Sequence, residues 1–141
     1  MPRRRSSPIE RLFSPAARRK IPFSFVLDEL AERDPVTRPM FGCTAVYVGE
    51  KIVMVLRQRP TDGADDGVWI ATTAEHHASL RKELPAMRSI RAFGDGETGW
   101  QVLPADSDAF ESMVLKACAL VLRGDPRIGK VPKQRRRRRA T

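Results

Sequence analysis

A two-layer α+β domain, a small antiparallel sheet with flanking helices, is the fold that this 141-residue sequence predicts. Three observations carry that expectation. Apolar residues recur with helical spacing at both ends of the central region, and short apolar runs lie between them, broken by glycine-containing pairs. All but one of the strand connections are hairpin-like, which favours antiparallel pairing. Apolar residues make up 41% of the chain, enough to build a real core. A body of about 100 residues buries roughly two thirds of its unfolded surface.

The folded body is expected to begin near Ile21. Phe23, Val26, Leu27 and Leu30 fall at i, i+3, i+4 and i+7, one apolar face of a helix that Asp34-Pro35 ends. β signals follow: Met40 and Phe41 before Gly42, Cys43–Val48, the turn pair Gly49-Glu50, and Lys51–Gln58. Ile52 to Leu56 is apolar at every position, which predicts a central strand covered on both faces. Residues 60–67 read as a solvated loop and Val68-Trp69-Ile70 as a further strand. Thr72 and Glu75 have the spacing of a capping box, opening a helix that runs to Leu84 and turns His77, Leu80 and Leu84 inward. Ser89–Phe93 and Trp100–Leu103 form a second hairpin. The last helix repeats apolar residues from Phe110 to Leu122, with Asp108 and Glu111 as its capping box and Gly124 as its stop.

Met40-Phe41-Gly42, Tyr47-Val48-Gly49-Glu50-Lys51-Ile52-Val53, Gly67-Val68-Trp69-Ile70 and Gly99-Trp100-Gln101-Val102-Leu103-Pro104 before an amphipathic helix together resemble the N-terminal domain of the TfoX/Sxy competence-regulator family. The resemblance covers roughly residues 23–124. It implies a secretion-chaperone-like fold of the TfoX N-terminal-domain type and a regulatory rather than catalytic role, and it supplies no catalytic residue. Regulators of that family carry a second, C-terminal domain, for which 141 residues leave no room, so a stand-alone domain is expected.

Charge divides the chain into three. Residues 1–20 hold seven Lys/Arg against Glu10, and residues 127–141 hold eight with no acid. Residues 21–126 hold eleven Lys/Arg against sixteen Asp/Glu, a balance of −5 within an overall +9. The expected organisation is a disordered basic tail over 1–20, an α+β domain over 21–126 and a disordered polybasic tail over 127–141. Attraction to polyanions then belongs to the tails, since the body on average repels phosphate.

The candidate nucleic-acid contacts are therefore Arg3, Arg4 and Arg5 at one end and Lys130, Lys133, Arg135, Arg136, Arg137, Arg138 and Arg139 at the other. A guanidinium pairs with phosphate oxygens through a planar fork, so such a cluster follows a DNA or RNA backbone without reading bases. The expected function is a non-enzymatic accessory or regulatory module with loose, non-specific nucleic-acid binding. The alternative is a homodimeric protein-interaction or chaperone-like domain with no nucleic-acid role.

No catalytic, cofactor-binding or metal-binding set is legible, and no small-molecule substrate is evident. Glu75-His76-His77 lacks the i, i+4 spacing of zinc-binding histidines, and Asp62, Asp65 and Asp66 do not complete a calcium loop. Cys43 and Cys118 have no metal-ligand spacing and read as small buried residues. No apolar run approaches the roughly 20 residues of a membrane span, and no secretory signal opens the chain, so the expected compartment is cytoplasmic.

Overall fold

The computed structural model describes residues 21–60, 63–92 and 99–132. In chain order the elements are α1 (Phe25–Glu29), a 3₁₀ turn (Ala31–Arg33), β1 (Val36–Met40), β2 (Cys43–Val48), β3 (Lys51–Arg57) and β4 (Gly67–Ile70). A second 3₁₀ turn (Ala74–His76) then leads into α2 (His77–Glu83), β5 (Arg88–Ser89), β6 (Gln101–Pro104) and α3 (Phe110–Leu122). The strands form one six-stranded sheet, ordered β1-β2-β3-β4-β6-β5, in which every ladder is antiparallel. The molecule is the small α+β fold expected.

All three of these helices pack on one face of the sheet. Val26 of α1 and Leu30 just after it, Leu80 of α2 and Val114, Ala117 and Cys118 of α3 meet Val46, Met54, Leu56, Val68, Ile70 and Leu103 in one buried cluster. The opposite face carries a second cluster, Cys43, Ala45, Ile52, Val55, Trp69, Ala71, Ile90 and Val102, to which none of the three helices contributes. Ile52 to Arg57 of β3 are all buried, because β3 is interior to the sheet and its alternate residues feed the two clusters. A bulge makes this possible. Val46 pairs with Met54 and Tyr47 with Ile52, so Val53 is the extra residue and joins the helix-side core while Ile52 faces the other way.

β1 begins earlier than the apolar pattern suggests and includes Pro39, in register with Thr44. Proline cannot donate to a ladder, so the Pro39 nitrogen must face away from β2. Thr37, and Pro35 before it, share that outward side by the two-residue alternation. Two of the three outward positions therefore lack an N–H, which blunts this edge, and the other edge strand has only two residues. Between β1 and β2, Phe41 (φ 52°) and Gly42 (φ 76°) form the two-residue turn, both left-handed as a type I′ hairpin requires.

Neither expected capping box forms. Thr72 is buried two residues past the end of β4, the following 3₁₀ turn has Thr73 at its N-cap without a side-chain bond, and among the described residues the Thr72 hydroxyl has no hydrogen-bond partner. Sheet burial has claimed the threonine before it could serve the helix. At α3 the N-cap is Ala109, whose N–H donates to Ser107 Oγ at 3.1 Å; Asp108 does not cap. The end of α3 does follow expectation. The Gly124 N–H donates to Val121 O (2.9 Å) and the Asp125 N–H to Leu120 O (3.0 Å), a Schellman closure at a glycine of φ 75°.

The body also runs past residue 126. Ile128 is buried in the helix-side core, and Lys130 forms an antiparallel bridge with Ile52. A boundary at 126 leaves out this last piece, because an isolated Ile128 gives no periodic signal.

Candidate nucleic-acid interface

Of the ten basic residues singled out from the sequence, Lys130 is within the described residues; Arg3, Arg4, Arg5, Lys133 and Arg135 to Arg139 lie outside them. Lys130 is exposed but not loose. Its N–H donates to Ile52 O (3.0 Å), and the Ile52 N–H donates to Lys130 O (2.9 Å). The Gly129 N–H donates to Ala71 O at 2.7 Å. Residues 128–130 thus occupy the lane that β4 vacates, alongside the first residues of β3. Gly129 holds φ 117°, and a side chain there would press on the Lys51 stem, 3.1 Å from its Cδ. Glycine lets the chain lie this close.

Arg127, basic tail by sequence position, belongs instead to the folded body. Its Nη2 donates to Glu83 Oε2 (2.7 Å) and Asp125 Oδ2 (2.9 Å), and its Nε donates to Asp125 Oδ1 (3.0 Å). A two-pronged bond to a carboxylate is the strong form of this contact. The hydrogen bond from the Arg127 side chain holds the Asp125 carboxyl down at about 2, against an ordinary 3.8. The same bond, with Glu83 second, raises Arg127. Arg127 is a clasp between α2 and the end of α3, and its charge is spent inside the fold.

The acidic loop before β4 is likewise structural rather than solvated. Asp65 is buried and accepts from Arg88 Nη1 (3.1 Å) and the Arg91 N–H (2.8 Å). Asp66 accepts from Arg57 Nη1 (3.0 Å) and the Arg59 N–H (3.1 Å). A carboxylate taken out of water needs such partners, so the guanidinium groups of Arg88 and Arg57 are committed to the body's own anions. Asp62 lies outside the described residues.

Other features weighed from the sequence fall into packing roles. Trp69 and Trp100 meet at 5.8 Å between ring centroids, and the Trp69 indole N–H donates to Asp65 O at 2.9 Å. His77 is buried with Nε2 3.3 Å from Gly99 O, whereas His76 lies 3.5 Å from the exposed Glu75 carboxylate. Among the described residues no group of three His, Cys, Asp or Glu side chains could hold a metal ion. Both cysteines are free and buried. Burial pushes the Cys118 thiol up to about 12. It also raises Cys43, against the opposing pull of Arg57 and Arg59. Neither thiol is a ready nucleophile. Among the described residues, no helix is long and apolar enough to cross a membrane.

What sequence reasoning missed is the rooting of the basic C-terminus. The available signal was short: Ile128 and Gly129, an apolar residue and a glycine standing between Pro126 and the arginine run. No protein-family model matches the chain, and neither does any curated protein or any solved structure.

Proposed function

We propose that this chain is a non-enzymatic accessory or regulatory module of the TfoX N-terminal-domain type, whose basic ends bind DNA or RNA loosely and without sequence preference. The observation that carries the reading is the segregation of charge. With the rooted segment counted in, residues 21–132 hold thirteen Lys/Arg against sixteen Asp/Glu, and residues 133–141 hold six Lys/Arg and no acid. Within the body Arg57, Arg88 and Arg127 are paired with Asp66, Asp65, and Asp125 and Glu83. The positive charge left for an outside polyanion is concentrated at the two ends of the chain.

The test compares the full-length protein with a full-length variant in which Arg3, Arg4, Arg5, Lys133 and Arg135 to Arg139 are changed to Gln. Labelled duplex DNA and single-stranded RNA are titrated across a salt series. The wild type should bind with Kd on the order of 10⁻⁴ to 10⁻⁶ M at physiological salt and weaken steeply as salt rises. Equal affinities for the two proteins would end the reading.

A second reading is a homodimeric interaction domain, favoured by the first hairpin, where Val36 is 53% and Phe41 74% exposed. Light scattering on the full-length protein tests it, and a strict monomer at tens of micromolar counts against it.

A further inference from the structure

Three segments far apart in the chain converge on a depression of about 300 Å³ on the helix side of the sheet. The end of the β2–β3 hairpin, the close of the first 3₁₀ turn and the stretch around the end of α3 each supply part of its wall. Val48, Val53, Val121 and Ile128 give it an apolar floor. Val53 is there because the β3 bulge turns it toward the helices, and with Val121 and Ile128 it belongs to the buried core. None of the described lining residues carries an aromatic ring.

The lining is also charged. Arg33 donates from Nε (3.2 Å) and Nη2 (2.6 Å) to Leu122 O, so the end of α3 fixes its guanidinium. That group lies by Gly124, where an added Cβ would be 3.6 Å from Nη2, and its Nη1 makes no bond among the described residues. Lys51 borders the same depression, its stem running beside Gly129 and its exposed ammonium group without an ion pair among the described residues. Asp125 is the one carboxylate among the described lining residues, and it is already taken. Its Oδ1 accepts from the Arg127 N–H (2.9 Å) and Nε (3.0 Å), and its Oδ2 accepts from Nη2 (2.9 Å). Glu32, Asp34 and Glu50, chain neighbours of Arg33 and Lys51, are exposed and do not line the depression.

From this arrangement we infer that the depression binds a small aliphatic monocarboxylate, with Arg33 and Lys51 receiving the carboxylate and the valines and Ile128 receiving the alkyl chain. A guanidinium and an ammonium call for an anion, and an amine finds no free acceptor because Arg127 saturates Asp125. Two cations less one carboxylate leave the lining at +1, which suits a monoanion better than the dianion of a phosphate monoester. A floor of branched aliphatic side chains offers no ring for a nucleobase or an aromatic acid to stack on. The inference is independent of the nucleic-acid reading and gives a regulatory module a small molecule to respond to.

The experiment titrates isotopically labelled full-length protein with octanoate, hexanoate and octanamide and follows the amide chemical shifts. Octanoate should saturate with Kd on the order of 1 mM, the level expected of about ten non-hydrogen atoms. The largest shifts should fall at the amides of Gly49, Gly124 and Ile128. Hexanoate, shorter by two CH₂ groups, should bind about tenfold more weakly, since each buried CH₂ contributes up to about fourfold. Octanamide keeps the chain and loses the charge, and it should bind at least about fivefold more weakly than octanoate. Lys51→Gln should weaken octanoate about two- to fivefold, as loss of an exposed ion pair does, and Lys51→Arg should restore it. Lys82→Gln, on α2 and outside the depression, should leave Kd unchanged. Thermal melts without ligand check that each variant is folded.

Equal Kd for octanoate and octanamide, or for wild type and Lys51→Gln, would overturn the inference. So would shifts centred on Val36 and Phe41, which would mark adsorption to the exposed first hairpin. Tighter binding of octyl phosphate than of octanoate would overturn the assignment to a monoanion. Shifts that fail to saturate by about 10 mM would remove the site altogether. None of these results alters the DNA and RNA titration above, so the two readings fail separately.

Discussion

Changing Arg127 to Gln tests whether the chain beyond residue 126 belongs to the fold. The substitution removes the bonds from the guanidinium to Asp125 and Glu83 and leaves Ile128 and the main-chain bonds of Gly129 and Lys130 to hold the segment. A carboxyl held at about 2 in place of 3.8 corresponds to at most about 2.5 kcal/mol. The Asp125 and Arg127 side chains are 13% and 19% exposed, so some screening applies and about 1–2 kcal/mol is expected at pH 7. The sign follows from the depressed acid. Its contribution is complete above the unfolded value near 4 and disappears as pH falls through about 2. Urea denaturation of wild type and Arg127→Gln, repeated from pH 7 down to pH 2, should therefore show a gap in midpoint that closes between about pH 4 and pH 2. A gap of the same size at both ends of that range would refute the ion-pair account. No gap at pH 7 would mean that the clasp contributes nothing.

Gly67→Ala should disrupt the centre of the sheet, because Gly67 holds φ 142° and an added Cβ would lie 2.1 Å from Leu103 O. A loss of about 3 kcal/mol or more is expected in chemical denaturation, and a wild-type midpoint would show that the β4–β6 approach is looser than described. Asp65→Ala removes the buried acceptor of Arg88 and the Arg91 N–H, at about 3 kcal/mol. Calorimetry reads it, and a change below about 0.5 kcal/mol would place Asp65 in the solvated class after all. Thr72→Val removes a buried hydroxyl that has no partner among the described residues, so the stability in urea denaturation should stay unchanged or rise by up to about 1–2 kcal/mol. A fall of that size would mean the hydroxyl is hydrogen-bonded in solution.

Local patterns were read well wherever a repeating environment produced them. The stripe from Phe110 to Leu122 and the inward set His77, Leu80 and Leu84 are direct consequences of helical spacing against one apolar surface; His77, Leu80, Leu84, Met113, Val114, Ala117, Cys118 and Val121 are buried, Phe110 and Leu122 are partly buried at the two ends, and Leu120 is buried outside the stripe. The unbroken run in β3 marked an interior strand because both of its sides are covered. Signals that depend on a single residue were read less well. A Thr-x-x-Glu spacing cannot tell a helix cap from a residue buried just past a strand, and Thr72 is the latter. The candidate interface was legible only as composition. Which cations are spent on the body's own acids depends on pairs such as Arg127 with Glu83, 44 positions apart, or Arg88 with Asp65, 23 apart.

By itself, then, the amino-acid order determined the class of fold, the helices, most of the strands and the division of charge between body and ends, because each of these is a property of neighbours along the chain. The tertiary structure decided that Ile128 to Lys130 complete the end of the sheet, that Thr72 is buried and caps no helix, and that Arg127, Arg57 and Arg88 are paired. The physical reason is common to all three. Burial and ion pairing are set by which distant segments share a surface, and a charge counts toward an outside partner only after the fold has taken those it needs for itself.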